Sequence, residues 1–182
     1  MKLKLSLLLL LFAPLMLLAQ QRTYKQHGIR KVETNITNPR KPDRSFVLTQ
    51  TFDKKGNLIE EVKTESTGEI VEHVVYSYEK YRKTAIEKDN AGNVISKEII
   101  LKNKDGKTIE TSSENYLKHS KEGRKYTYDK WGKLTVELWL NDKDKIERTK
   151  KYIYNAEGLL IQQVSLDEKN VVIFQKDIRY EN

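Results

Sequence analysis

Five short stretches of this chain superimpose on one another, and their spacing constrains the fold more than any other feature. They are Phe52-Asp53-Lys54-Lys55-Gly56, Tyr78-Glu79-Lys80-Tyr81-Arg82, Lys102-Asn103-Lys104-Asp105-Gly106, Tyr128-Asp129-Lys130-Trp131-Gly132 and Tyr154-Asn155-Ala156-Glu157-Gly158. Their first residues lie 26, 24, 26 and 26 apart, and a further step of 26 reaches Tyr180. Self-similarity at a fixed period means a repeated supersecondary unit. A second, weaker turn falls halfway through most periods, at Ser66-Thr67-Gly68, Asp89-Asn90-Ala91-Gly92, Asn141-Asp142-Lys143-Asp144 and Asp167-Glu168-Lys169-Asn170. Turns at this spacing separate the strands of an antiparallel sheet.

The turn residues have a physical reason. In Asp-x-x-Gly, the acid accepts backbone N–H bonds across the turn, and Gly takes the left-handed conformation that ends a short hairpin in a bulge. The flanking segments are rich in Val, Ile, Thr, Tyr and Phe, with no proline after Pro42, so they suit strands. If each turn holds five residues, the cross-strand pairs are Phe52 with Leu58, Tyr128 with Leu134, Leu140 with Ile146, Tyr154 with Leu160, and Leu166 with Val172. All are even-numbered. From Phe46 onward, only Tyr81, Trp131 and Trp139 among the aromatics are odd. Strand alternation then assigns the even residues, including Tyr76, Tyr126, Tyr152 and Phe174, to one inward face. The expected fold is all-β: an antiparallel meander of about ten strands built from repeated hairpins, strongly curled as an open sheet or half-barrel.

Tyr126-x-Tyr128-Asp129-x-x-Gly132-x-Leu134 and Tyr152-x-Tyr154-Asn155-x-x-Gly158-x-Leu160 resemble the bacterial YD repeat, also called the RHS repeat. The similarity extends over about residues 46–182, with Lys102 in place of the aromatic, Arg82 in place of the glycine, and a degenerate copy over 111–125. In long members of that family the repeats form a spiralling β-sheet shell around a toxin. The resemblance implies β-sheet construction and display outside the cytoplasm, and it transfers no catalytic residue.

Three segments follow. Residues 1–19 have a basic start at Lys2 and Lys4, an apolar run from Leu5 to Leu18, and then Ala19, the layout of a secretory signal peptide cut after Ala19. Residues 20–45 form a polar N-terminal segment or linker with a break at Asn38-Pro39-Arg40-Lys41-Pro42. Residues 46–182 are the YD-like hairpin domain. The chain has no cysteine, which excludes disulfides and thiol lipidation, so a periplasmic or extracellular, non-lipidated product with no stable membrane span is expected. Removing Lys2 and Lys4 lowers the net charge from +8 to +6, with the signs interleaved as on a solvated surface.

Bond-making chemistry finds little support. His27, His73 and His119 stand apart, without zinc-ligand spacing. The acids around Asp142 and Asp144 are explained by turn formation rather than calcium. Glu60 and Glu61 point to opposite faces of a strand and cannot face each other across a glycosidase cleft. Neither enzyme activity, cofactor nor metal is therefore expected. A ligand or partner surface is expected from Tyr81, Trp131 and Trp139, read as exposed rings able to stack on sugars. The dense basic run contributes Lys118, Lys121, Arg124 and Lys125, read as the long loop of the degenerate repeat, with docking of an anionic polysaccharide as the functional alternative. Phe52, Tyr78, Tyr128, Tyr154, Tyr180, Gly56, Gly106, Gly132 and Gly158 are the structural repeat positions. The expected role is a binding or structural module at the cell envelope, with a protein or glycan partner and no nucleic acid. Two rivals remain open: a carrier of a lipid or other apolar ligand, and an inhibitor or immunity-type protein working through an edge strand.

Overall fold

The computed structural model describes residues 23–37, 39–40 and 45–181. The expected signal peptide and Pro42 lie outside them. The fold is an all-β antiparallel meander of twelve strands: β1 (Lys31–Ile36), β2 (Phe46–Phe52), β3 (Leu58–Glu65), β4 (Ile70–Glu79), β5 (Arg82–Lys88), β6 (Val94–Lys102), β7 (Thr108–Asn115), β8 (Ser120–Tyr128), β9 (Leu134–Leu140), β10 (Ile146–Tyr154), β11 (Leu160–Asp167) and β12 (Val172–Asp177). They are ordered in the sheet as in the chain, and the order is open, with β1 and β12 at its ends. The strand number exceeds the expected ten for two reasons. The segment 20–45 contributes β1, and the degenerate repeat forms a complete hairpin from β7 and β8. The chain divides into two compact units, residues 1–75 and 76–182.

In the first unit, a single helical turn at 23–26 sets the Tyr24 ring 4.7 Å from that of Phe52. Phe52 is only 6% exposed, and its N–H donates to the Arg30 carbonyl at 2.8 Å. The Arg30 guanidinium donates in turn to the Asp53 carbonyl. Along β3, Glu61 accepts from the Gln50 amide at 2.7 Å, while Glu60 bonds His73 at 2.9 Å. The two adjacent carboxylates therefore serve opposite faces, as strand alternation requires.

The hairpin turns repeat one design. Asp129 Oδ1 accepts from the backbone N–H groups of Trp131 and Lys133 at 2.9 and 2.8 Å, and Gly132 follows at φ 81°. Asn141 and Asp167 cap the half-period turns in the same way. There the left-handed position is filled by Asp144 at φ 57° and Asn170 at φ 62°, residues that tolerate it better than most. All of the expected pairs are in register: Phe52 with Leu58, Tyr128 with Leu134, Leu140 with Ile146, Tyr154 with Leu160, and Leu166 with Val172.

The even-numbered face is not continuous, because the register shifts beside each of these turns. Thr127 faces Val136 while Tyr128 faces Leu134, which leaves one extra residue on β9. Such a bulge exchanges odd and even beyond it. On β9 and β11 the ring-bearing face is therefore odd: Arg124, Trp139 and Arg148 are successive partners, as are Tyr126, Glu137 and Lys150. Leu140 and Leu166, expected on the aromatic side, lie on the other one, opposite Gly123 and Thr149. They are 9% and 8% exposed, whereas Phe174, expected in the interior, is 50% exposed. A Cβ on Gly123 would touch the Leu140 side chain at 3.4 Å, so this glycine makes room for the leucine.

Successive repeats in the second unit are tied by their tyrosines. The hydroxyls of Tyr128, Tyr154 and Tyr180 donate to the carbonyls of Thr108, Leu134 and Leu160 at 2.7, 2.9 and 3.0 Å. Each bond joins the tyrosine to the residue twenty positions earlier. Lys107 Nζ donates to the Gly132 carbonyl at 2.7 Å, and its ammonium stands 5.3 Å from the Tyr128 ring centre. Lys133 stands at the same distance from Tyr154. These bonds explain why tyrosine, lysine and glycine recur together.

Candidate functional site

The residues expected to form a ligand surface separate into several places. Tyr81 and Trp131 sit on different hairpin turns, 44% and 73% exposed, each with a lysine over its ring, Lys80 at 5.0 Å and Lys130 at 4.4 Å. Trp131 lines an open groove of about 390 Å³ with Lys107, Tyr126 and Asp129. The basic run is not a loop. Lys118 lies in a turn, whereas Lys121, Arg124 and Lys125 lie on β8. The ammonium of Lys121 reaches Asp144 at 2.7 Å. Lys125 pairs in register with Leu138 and so points away from Arg124.

Trp139 lies among the other rings rather than on the opposite face. It stands between its register partners, Arg124 on β8 and Arg148 on β10. Their guanidinium carbons lie 4.3 and 5.0 Å from its ring centre. Guanidinium groups from both flanking strands therefore lie over this ring. Its indole N–H is buried without a hydrogen-bond acceptor among the described residues.

Beside this sandwich lies a buried carboxylate. Glu137 is 7% exposed; it accepts from the Tyr152 hydroxyl at 3.1 Å and approaches Arg124 at 3.6 Å. Burial first, and then the Glu137 charge, push the Tyr152 hydroxyl far above its ordinary pKa. This keeps it a protonated donor at any physiological pH. Lys150, 5.8 Å from the Tyr152 ring, and exposed Arg148 complete the patch. The sequence offers Glu137 only as a carboxylate for a rejected glycosidase reading and does not point to Arg148, because their meeting depends on bulges that the numbering conceals. Among the described residues, no group of three His, Cys, Asp or Glu side chains is placed to hold a metal, and no helix is long and apolar enough to cross a membrane.

No family model matches the sequence, and no curated protein matches it. Similar solved structures include the following two. A porin-like protein from Bacteroides uniformis is 14% identical with a TM-score of 0.41, the similarity covering 80% of this chain and 57% of that one. A protein of unknown function from Bacteroides fragilis is 12% identical with a TM-score of 0.29, over 84% of this chain and 96% of that one. The chain thus spans little more than half of the porin-like protein.

Proposed function

We propose that this chain is an exported β-repeat protein, YD-like in its repeats, that acts as a binding or structural module at the cell envelope or outside the cell, without bond chemistry. The observation that carries this reading is the way the sheet faces are finished. Among the described residues no large side chain is fully buried, and rings are covered by cations. Lys83 over Tyr76, Lys107 over Tyr128, Lys133 over Tyr154 and the two arginines over Trp139 are examples in the second unit. Long cationic side chains can shield apolar surface while keeping their charge in water. Such a surface is soluble and remains available to a partner.

Labelled protein incubated with washed envelopes of its host tests the proposal. Saturable retention, with the retained material chemically unchanged, is expected. Absence of retention, or turnover of an envelope component, would overturn it.

A further inference from the structure

We infer that Arg124, Arg148 and Lys150, organised by Trp139, form a binding site for a carboxylate-bearing polysaccharide. The inference rests on the binding-module reading above and adds the ligand class and the residues.

The three cations share one sheet face, Arg124 opposite Trp139, Trp139 opposite Arg148, and Lys150 two residues along β10. Stacking against an indole leaves the edge N–H groups of a guanidinium free, and those edges match a carboxylate with two parallel hydrogen bonds. The Arg148 side chain makes no hydrogen bond or ion pair with any described residue. Its register partner on β11 is Asp167, whose Oδ1 already accepts from the N–H groups of Lys169 and Val171. Arg124 has one ion-pair partner among the described residues, Glu137 at 3.6 Å, and Glu137 is also bonded by Tyr152. The patch therefore holds one guanidinium without an ion pair and one loosely served, both restrained by the same ring. Restraint before binding lowers the ordering cost of a contact. The Trp139 N–H, buried without an acceptor among the described residues, marks a place where stability is given up to keep that ring in position.

Polysaccharide is favoured over nucleic acid because two guanidinium groups already lie over Trp139 and compete with a base for stacking on this ring. A membrane surface would require a broader field of cations, and buried Glu137 lies within the patch.

The chain has two tryptophans, so Trp131→Phe leaves Trp139 as the reporter. Its fluorescence is followed while oligogalacturonate, neutral galactan oligomers, inorganic phosphate and phosphatidylglycerol vesicles are titrated separately. A saturable change with oligogalacturonate alone is expected. Arg148→Gln should weaken binding about tenfold or more, and Arg148→Lys should not restore it. No response to oligogalacturonate, an equal response to the neutral oligomers, stronger binding to phosphate or vesicles, or unchanged affinity in Arg148→Gln would each overturn the site. If envelopes still retain the protein in that case, the site falls and the broader reading stands.

Discussion

The hydroxyl of Tyr154 donates to the backbone carbonyl of Leu134 at 2.9 Å, and Leu134 is itself the register partner of the preceding repeat's tyrosine, Tyr128. Each tyrosine is thereby bonded to the strand start that its predecessor pairs with. Removing this hydroxyl should loosen adjacent repeats without disturbing the ring. Tyr154→Phe is expected to cost about 1 kcal/mol in urea unfolding, and Tyr154→Ala clearly more, through lost packing with Leu160. Equal stability of the Phe variant and the parent would count against the bond.

The glycines of two successive repeat turns should respond differently to the same substitution. Gly106 and Gly132 both have left-handed φ, 79° and 81°. A Cβ on Gly106 meets nothing within 4 Å, whereas one on Gly132 would overlap Lys107 Nζ, the mobile end of a long side chain. Gly106→Ala should cost about 1–2 kcal/mol from backbone strain alone. Gly132→Ala should cost slightly more, because Lys107 must swing aside and give up its bond to the Gly132 carbonyl, and that excess over Gly106→Ala should vanish in the Lys107→Ala background. A double-mutant cycle measures this coupling.

The turn acids should give the fold an acid limit. Asp89 lies below its ordinary pKa, chiefly because the Asn93 side-chain amide donates to it, with the Asn93 backbone N–H adding to the effect. A carboxylate whose folded pKa is depressed contributes stability that is present above its unfolded value of about 4 and is lost as pH falls through the folded one. Asp89→Asn keeps a cap of the kind seen at Asn103, Asn141 and Asn155 and removes the titration. Its unfolding midpoint should depend less on pH below about 4 than the parent's, as thermal scans across that range would show. An identical pH dependence would contradict the assignment.

Tyr152 and Glu137 should behave as a unit. Tyr152→Phe leaves the buried carboxylate with only the distant Arg124, and should cost about 1–3 kcal/mol. Glu137→Gln keeps an acceptor for the hydroxyl and should cost less. On the alkaline side the raised tyrosine pKa contributes stability that is fully present below the ordinary phenol range and is lost as pH rises through the folded value. In an ultraviolet titration, Tyr152→Phe should therefore lose a tyrosine from the latest-ionising group.

The hairpins were readable because each turn carries its own chemistry, an Asp or Asn cap and a left-handed residue at fixed offset, and those offsets gave the cross-strand pairs. Face assignment failed on β9 and β11 because one bulge per turn inverts parity, and a second restores it before the next repeat. That is why Trp139 looked isolated in the numbering while it lies between two arginines in the sheet. The hairpin β7–β8 was hidden for a different reason. Its strands read TIETSSEN and SKEGRKYTY, and for most of their length they lack the apolar alternation that marks a strand, so pairing with each other and with β6 and β9 defines them.

Export of a binding protein is the central claim, and cell fractionation with intact-mass measurement tests it most directly. The account predicts recovery outside the cytoplasm with residues 1–19 removed, so that the product begins at Gln20. Full-length protein retained in the cytoplasm would contradict it.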